Sequence, residues 1–204
     1  MGESIPREAE AYYNRGIEAG RLFRSHGLIE FARTQEIILR HLPSPPCTVL
    51  DVGGGPGAYA CWLASLGHRV ILVDAVPLHV EQARAASARQ PHAPVSDCRQ
   101  GDARHLDAAD ATARAVLLLG PLYHLTERPD RLRALREARR VLEPGGLLFA
   151  AAVSRYASLL SGRGRQPPRR SRVRRHRGPR PARRPAPERD GQGVLHDHLL
   201  PSPR

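Results

Sequence analysis

The stretch VLDVGGGPG, residues 49–57, decides the fold. Val49 to Val52 make a short apolar run interrupted only by Asp51, and glycines follow at 53, 55 and 57, on alternate positions. Side chains there would hold a ligand off the backbone, and glycine also permits the unusual dihedrals of a tight turn. The residues from about Ala58 to Leu66 read as a helix, so the loop feeds a helix N-terminus, whose unpaired amides attract negative groups. A dinucleotide-binding turn calls for G-x-G-x-x-G, with the third glycine packing helix against strand. Here the third glycine comes one residue early and an aspartate precedes the loop, which disfavours an NAD site. A glycine-rich strand–helix turn with no ligand is the bland alternative.

Outward from this turn, strands and helices alternate. Gly67 closes the helix and RVILVD (69–74) is a second strand. Pro77 to Arg89 reads as a helix with proline in its first turn. VSDCRQGD (95–102) is a weaker strand, and ARAVLLLG (113–120) a buried one. Residues 129–142 carry Leu132, Leu135, Ala138, Val141 and Leu142 on one helical face; Pro144-Gly145-Gly146 then turns the chain into a fifth strand, LLFAAAV (147–153). Upstream, Ala9 to Leu42 reads as two helices, with Leu28, Phe31, Ala32, Ile38, Leu39 and Leu42 near a helical period, Gly27 separating the halves and Pro43, Pro45 and Pro46 ending the second. The alternation implies crossover units, hence an α/β, doubly wound, mostly parallel sheet with helices on both faces. Such sheets bind ligands at the carboxyl ends of their strands, at the topological switch point.

The run from Asp51 to Gly57 resembles the first motif, D-x-G-x-G-x-G, of class I S-adenosylmethionine-dependent methyltransferases, bacterial small-molecule type. Four later features agree in order and spacing. Asp74 closes the second strand, where a carboxylate can accept both hydroxyls of a ribose; its bland reading is a charge near the N-terminus of the following helix. QGDARHL (100–106) resembles the family's segment after the third strand, which implies that Asp102 accepts from the adenine amino group and that the Ala103 amide faces the ring; a turn aspartate is the alternative. LLLGPLYHL (117–125) resembles the segment beside the transferred methyl group, and LEPGGLL (142–148) the approach to the fifth strand. The resemblance spans about residues 9–160 and implies a Rossmann-like methyltransferase sheet with S-adenosyl-L-methionine as cofactor. It makes Asp51, Gly53, Gly55, Gly57, Asp74, Ala75, Asp102, Ala103 and Leu119 the expected cofactor contacts. YYNRGIEAGRLF and IEFARTQEIIL look like the capping helices of one bacterial subgroup, so Tyr13, Arg15 and Arg33 are candidates to touch the cofactor, or are ordinary exposed or core helix residues.

The expected organisation is a helical cap over 1–42, a cofactor-binding domain over 43–160 and a tail over 161–204. The expected reaction is methyl transfer to a small-molecule acceptor of unstated identity. A sulfonium methyl is electrophilic, so the protein chiefly aligns a nucleophile and excludes water. A general base is needed only where the acceptor must lose a proton, and His124 and Tyr123 stand where such a group belongs, although His124 reads equally as a structural residue.

Net charge is +12, but residues 1–160 hold 19 arginines against 17 acidic residues, whereas residues 161–204 hold 13 against 3. The basicity therefore belongs to the tail, where Arg, Pro, Gly, Ser and Ala leave too little apolar surface to offset ordering, and disorder is expected. A nucleic-acid-binding arm is the alternative function, with nonspecific contacts through that tail. No lysine is present, a bias of GC-rich coding. The family carries two further strands that the chain does not supply. LHDHLLPSPR (195–204) can be encoded by a choice of codons that, shifted by one base, reads Phe-Thr-Thr-Thr-Tyr-Phe-His-Arg-Pro, a strand-like peptide resembling the family's downstream segment. The expectation is a frameshifted tail, an incomplete sheet, a fifth strand left as an exposed edge, and weak stability with impaired activity. Cys47, Cys61 and Cys98 lack metal or redox spacing and read as reduced thiols; no signal peptide or membrane-length apolar run is visible, so a cytoplasmic location without membrane association is expected.

Overall fold

The computed structural model describes residues 13, 16, 18, 20–24, 26–154, 156 and 157. The expected tail, the 160/161 boundary, Arg15 and most of the first cap helix lie outside the described residues. The elements are α1 (His26–His41), β1 (Thr48–Val52), α2 (Ala58–Ser65), β2 (Arg69–Asp74), α3 (Pro77–Ala88), β3 (Asp97–Gln100), β4 (Ala113–Leu118), α4 (Pro121–His124), α5 (Arg128–Val141) and β5 (Leu142–Ala150), with a 3₁₀ turn at Arg21–Phe23.

The five strands form one parallel sheet in the order β3-β2-β1-β4-β5. This is the doubly wound α/β fold expected. β1 lies at its centre, with Leu50 opposite Ile71 of β2 on one side and Val116 of β4 on the other. Strand order reverses between β1 and β4, so their carboxyl ends diverge into a crevice, and the glycine loop opens there.

Successive side chains of a strand point to opposite faces. Val49, Val70, Leu72, Ala115 and Leu117 pack with Ile38, Leu63 and Ala83 in one core; Leu50, Val52, Val73, Val116 and Leu118 pack with Leu106, Ala138 and Val141 in the other. Both faces are covered, which is why these strands read as continuous apolar runs. β3 and β5 are the edges among the described residues.

Two expectations change. Gly27 does not separate two helices: it lies within the first turn of α1, buried, where a Cβ would run into Arg21 O. Its small size lets the 3₁₀ turn lie directly on the helix. Pro144-Gly145-Gly146 is not a turn before the fifth strand: β5 starts at Leu142, directly after α5, and the triplet forms an irregularity opposite the Ala113–Ala115 segment of β4, with Gly145 at φ 74°. Of the apolar residues assigned to one face of the second cap helix, Ile38 and Leu42 are buried, while Leu28 and Leu39 are exposed.

Candidate active site

A cavity of about 640 Å³ lies over the carboxyl ends of the strands. Its floor is the loop after β1. Gly53 (φ 72°) closes against the start of α4, where a Cβ would meet the Pro121 ring at 2.6 Å. Gly55 (φ 56°) differs: nothing lies within 4 Å of where its Cβ would stand, and the residue lines the cavity. A backbone surface left bare in this way suits a ligand that runs along it.

Asp74 fastens the loop to β2. Its Oδ2 accepts from the Gly55 amide at 2.8 Å, and its Oδ1 accepts from the Val76 amide at 2.9 Å and faces His79 Nδ1 at 3.1 Å. Asp51 lies deeper, 1 % exposed. Burial, then the Asp74 charge, pushes its carboxyl up to about 7, against the opposing Ala60 amide, and its Oδ2 has no hydrogen-bond partner among the described residues.

At the far side, Asp102 and Ala103 line the cavity. Arg104 folds back onto Asp102, Nη2 lying 2.6 Å from Oδ2, with the Arg104 amide 2.8 Å from Oδ1; the same guanidinium reaches Asp130 at 2.8 Å. Charge-assisted bonds of this kind are the strong ones, so the carboxylate is largely engaged within the protein.

Tyr13, Ala75, Leu119, Tyr123 and His124 also line the cavity. The Tyr13 hydroxyl and His124 Nε2 are 2.6 Å apart, and the Tyr13 ring packs edge-on against both His124 and His79. Burial lowers the His124 pKa and raises that of Tyr123, so at neutral pH the imidazole is an uncharged base and the phenol a neutral donor. Every sequence-chosen residue that is described therefore meets at one cavity except Arg33. Arg33 is exposed on α1, paired with Glu36, and is absent from the cavity lining. Its helical phase sends it outward.

Sequence reasoning missed His79, Gln82 and Arg21. His79 stands two residues beyond the helix-starting Pro77, and that phase, combined with Asp74 at the strand end, was the available signal. Arg21 sits at the rim between Glu18 and Glu30, 2.5 and 2.7 Å away, a pairing readable from neither residue alone. The three cysteines are free, and burial pushes the Cys98 thiol up to about 11. Among the described residues no group of His, Cys, Asp and Glu is placed to hold a metal ion, and no helix is long and apolar enough to cross a membrane.

A bare glycine loop at the switch point, an acidic residue near the end of each of the first two strands, and a third acid after the next border one cavity, and residues 50–150 match the methyltransferase-domain family. The chain belongs to the class I S-adenosylmethionine-dependent methyltransferases. It is 32% identical over 122 residues to the ubiquinone/menaquinone biosynthesis C-methyltransferase of Acidiphilium cryptum, covering 59% of this chain and 48% of that protein. It is 34% identical over 118 residues to the ubiquinone biosynthesis O-methyltransferase of Methylocella silvestris, covering 57% and 44%. The crystal structure of the PH0226 protein from Pyrococcus horikoshii superposes with a TM-score of 0.56 at 26% identity, over 69% of this chain and 65% of that one. This methyltransferase chain spans less than half the length of the two curated relatives.

Two observations fit the family's cofactor, S-adenosyl-L-methionine, to this cavity. The space above Gly55 is one a Cβ would fill. The buried Asp51 Oδ2, without a hydrogen-bond partner among the described residues, lies under the same loop, 2.7 Å from where a Gly54 Cβ would stand.

Proposed function

We propose that this chain holds S-adenosyl-L-methionine over Gly53–Gly57 and transfers its methyl group to a small-molecule acceptor in the cytoplasm. The cofactor, when bound, supplies an electrophilic methyl group on a positively charged sulfur. Gly55 offers bare backbone along the ligand's path. Asp74 receives the ribose, Ala75 and Leu119 border the nucleoside, and Asp102 with the Ala103 amide stands at the adenine end, with Arg104 sharing the Asp102 carboxylate. Asp51 keeps a negative or proton-sharing group beneath the loop.

For an acceptor that must lose a proton, Tyr13 and His124 form the base. The phenolic O–H donates to the neutral His124 Nε2; a proton taken by the phenolic oxygen is balanced by the one passed to the imidazole. Desolvation keeps His124 uncharged and ready to receive it. Tyr123, with its phenol raised in pKa, borders the same space.

The observation that carries this reading is the Gly55–Asp74 pair: a residue opening onto the cavity, its amide bonded to the strand-end carboxylate. Calorimetric titration with S-adenosylhomocysteine tests it. The wild-type chain is expected to bind, and Asp74→Ala to abolish binding while remaining folded. An undiminished affinity in Asp74→Ala would remove the reading. Salt-dependent binding of DNA or RNA that vanishes on deletion of residues 162–204, with no affinity for S-adenosylhomocysteine, would favour the arginine-rich tail as the functional element instead.

A further inference from the structure

We propose that His79 completes the ribose subsite, its Nε2 taking one of the two nucleoside hydroxyls while Asp74 takes the other. The inference rests on the cofactor reading above and assigns a residue that reading leaves unused.

The two oxygens of a carboxylate offer about four acceptor directions. Asp74 already receives the Gly55 amide, the Val76 amide and His79 Nδ1. One direction is left, on Oδ2, whereas a ribose diol presents two O–H donors. With one direction left on Asp74, a second acceptor beside it would take the other hydroxyl.

His79 is that acceptor. It is 4 % exposed and lines the cavity. A carboxylate only accepts, so the 3.1 Å contact to Asp74 Oδ1 places a proton on Nδ1, and a ring carrying that one proton presents Nε2 as a bare lone pair. That nitrogen is buried and has no partner among the described residues. Buried polar atoms in native proteins are nearly always paired, and an orphan calls for an explanation. The Tyr13 ring lies edge-on at 5.0 Å from the imidazole, but its hydroxyl goes to His124. The turn of α3 that carries His79 is fixed by its own amide bonding to Val76 O at 3.0 Å. Asp74 thus orients the imidazole as well as binding the ligand, and the pair acts as one diol receptor.

Gln82 lies one turn further along α3, and its Oε1 is also buried without a partner among the described residues. It is the competing acceptor, and the experiment separates the two.

The test compares S-adenosylhomocysteine with its 2′-deoxy and 3′-deoxy forms by calorimetry on the purified 204-residue chain. His79→Asn keeps an amide N–H near the Nδ1 position, able to donate to Asp74, and removes Nε2. The wild type is expected to lose about tenfold in affinity for each deoxy form, one hydrogen bond apiece. His79→Asn is expected to bind S-adenosylhomocysteine about tenfold more weakly and to lose little further for one of the two deoxy forms. In the wild type, the ¹⁵N resonance of His79 Nε2, assigned through the ring from the residue's own backbone resonances, is expected to shift on adding S-adenosylhomocysteine and not with that deoxy form. The spectrum of the wild type reads Nε2 even if the variant folds poorly. Equal losses for all three ligands in His79→Asn, or a resonance indifferent to the hydroxyl, would overturn the inference. So would a discrimination that survives in His79→Asn and disappears in Gln82→Leu. Failure of the wild type to bind S-adenosylhomocysteine would overturn the cofactor reading and this one with it; wild-type binding with an indifferent His79→Asn overturns this one alone.

Discussion

Replacing Gly55 by alanine separates the role of the loop in folding from its role in binding. The methyl group meets no atom within 4 Å, so the fold loses nothing to overlap. What it loses is the cost of holding a non-glycine residue at φ 56°, about 1–2 kcal/mol, offset in part by the smaller entropy of the unfolded chain. For a chain of this size that is a fall of about 2–6 °C in melting temperature. The ligand meets a different cost, because the new methyl stands in the space it is to occupy. The loop cannot swing aside cheaply, since the Gly55 amide is bonded to Asp74 at 2.8 Å. An affinity loss for S-adenosylhomocysteine of at least about tenfold, or ~1.4 kcal/mol, is expected by calorimetry. Gly67→Ala is the control: Gly67 has φ 93°, ordinary contact with Pro45 at 3.6 Å, and no place in the cavity. It should lower the melting temperature and leave affinity alone. A folded Gly55→Ala chain binding within twofold of wild type, or an equal loss in Gly67→Ala, would refute the argument that ligand runs over Gly55.

Other outcomes follow from burial. The Asp51 carboxyl stands near 7 when folded and near 4 when unfolded, so the folded state holds its proton more tightly. Its stabilising contribution is complete below about pH 4 and disappears as pH rises toward 7, a decline of as much as about 4 kcal/mol in urea-derived stability. Glu137, held down to about 2 by Arg140, acts only below the ordinary carboxylate range, and His68 and His124, whose pKa values burial lowers, act in the opposite sense in both chains. Asp51→Asn should flatten the profile between pH 5 and pH 7, and parallel profiles for the two chains would contradict the assignment. Leu63, 0 % exposed on α2, should cost about 2–5 kcal/mol as Leu63→Ala, read as a lower urea midpoint; a change under about 0.5 kcal/mol would mean that this face is not packed as described.

Much of the fold was legible in the residues. The runs at 48–52, 69–74 and 113–118 are apolar almost throughout because both faces of a parallel sheet are covered, and their ends are marked by glycine, aspartate and proline. Their order implied the crossover sheet. The places that misled were those where small residues serve packing. Gly27 looks like a break, yet the 3₁₀ turn rests on it; Pro144-Gly145-Gly146 looks like a turn, yet β4 pairs on either side of it.

The site divides in the same way. Asp51, the loop glycines and Asp74 announced themselves because a ligand approaching backbone requires particular residue types at particular intervals, and intervals are a property of the chain. Which oxygen meets which donor is not. Arg104 turning onto Asp102, Tyr13 reaching His124, and His79 left with one bare nitrogen beside Asp74 depend on where separate elements come to rest. Local spacing sets what each strand end can offer; only packing in three dimensions decides which of those offers are already taken within the protein and which remain for a ligand.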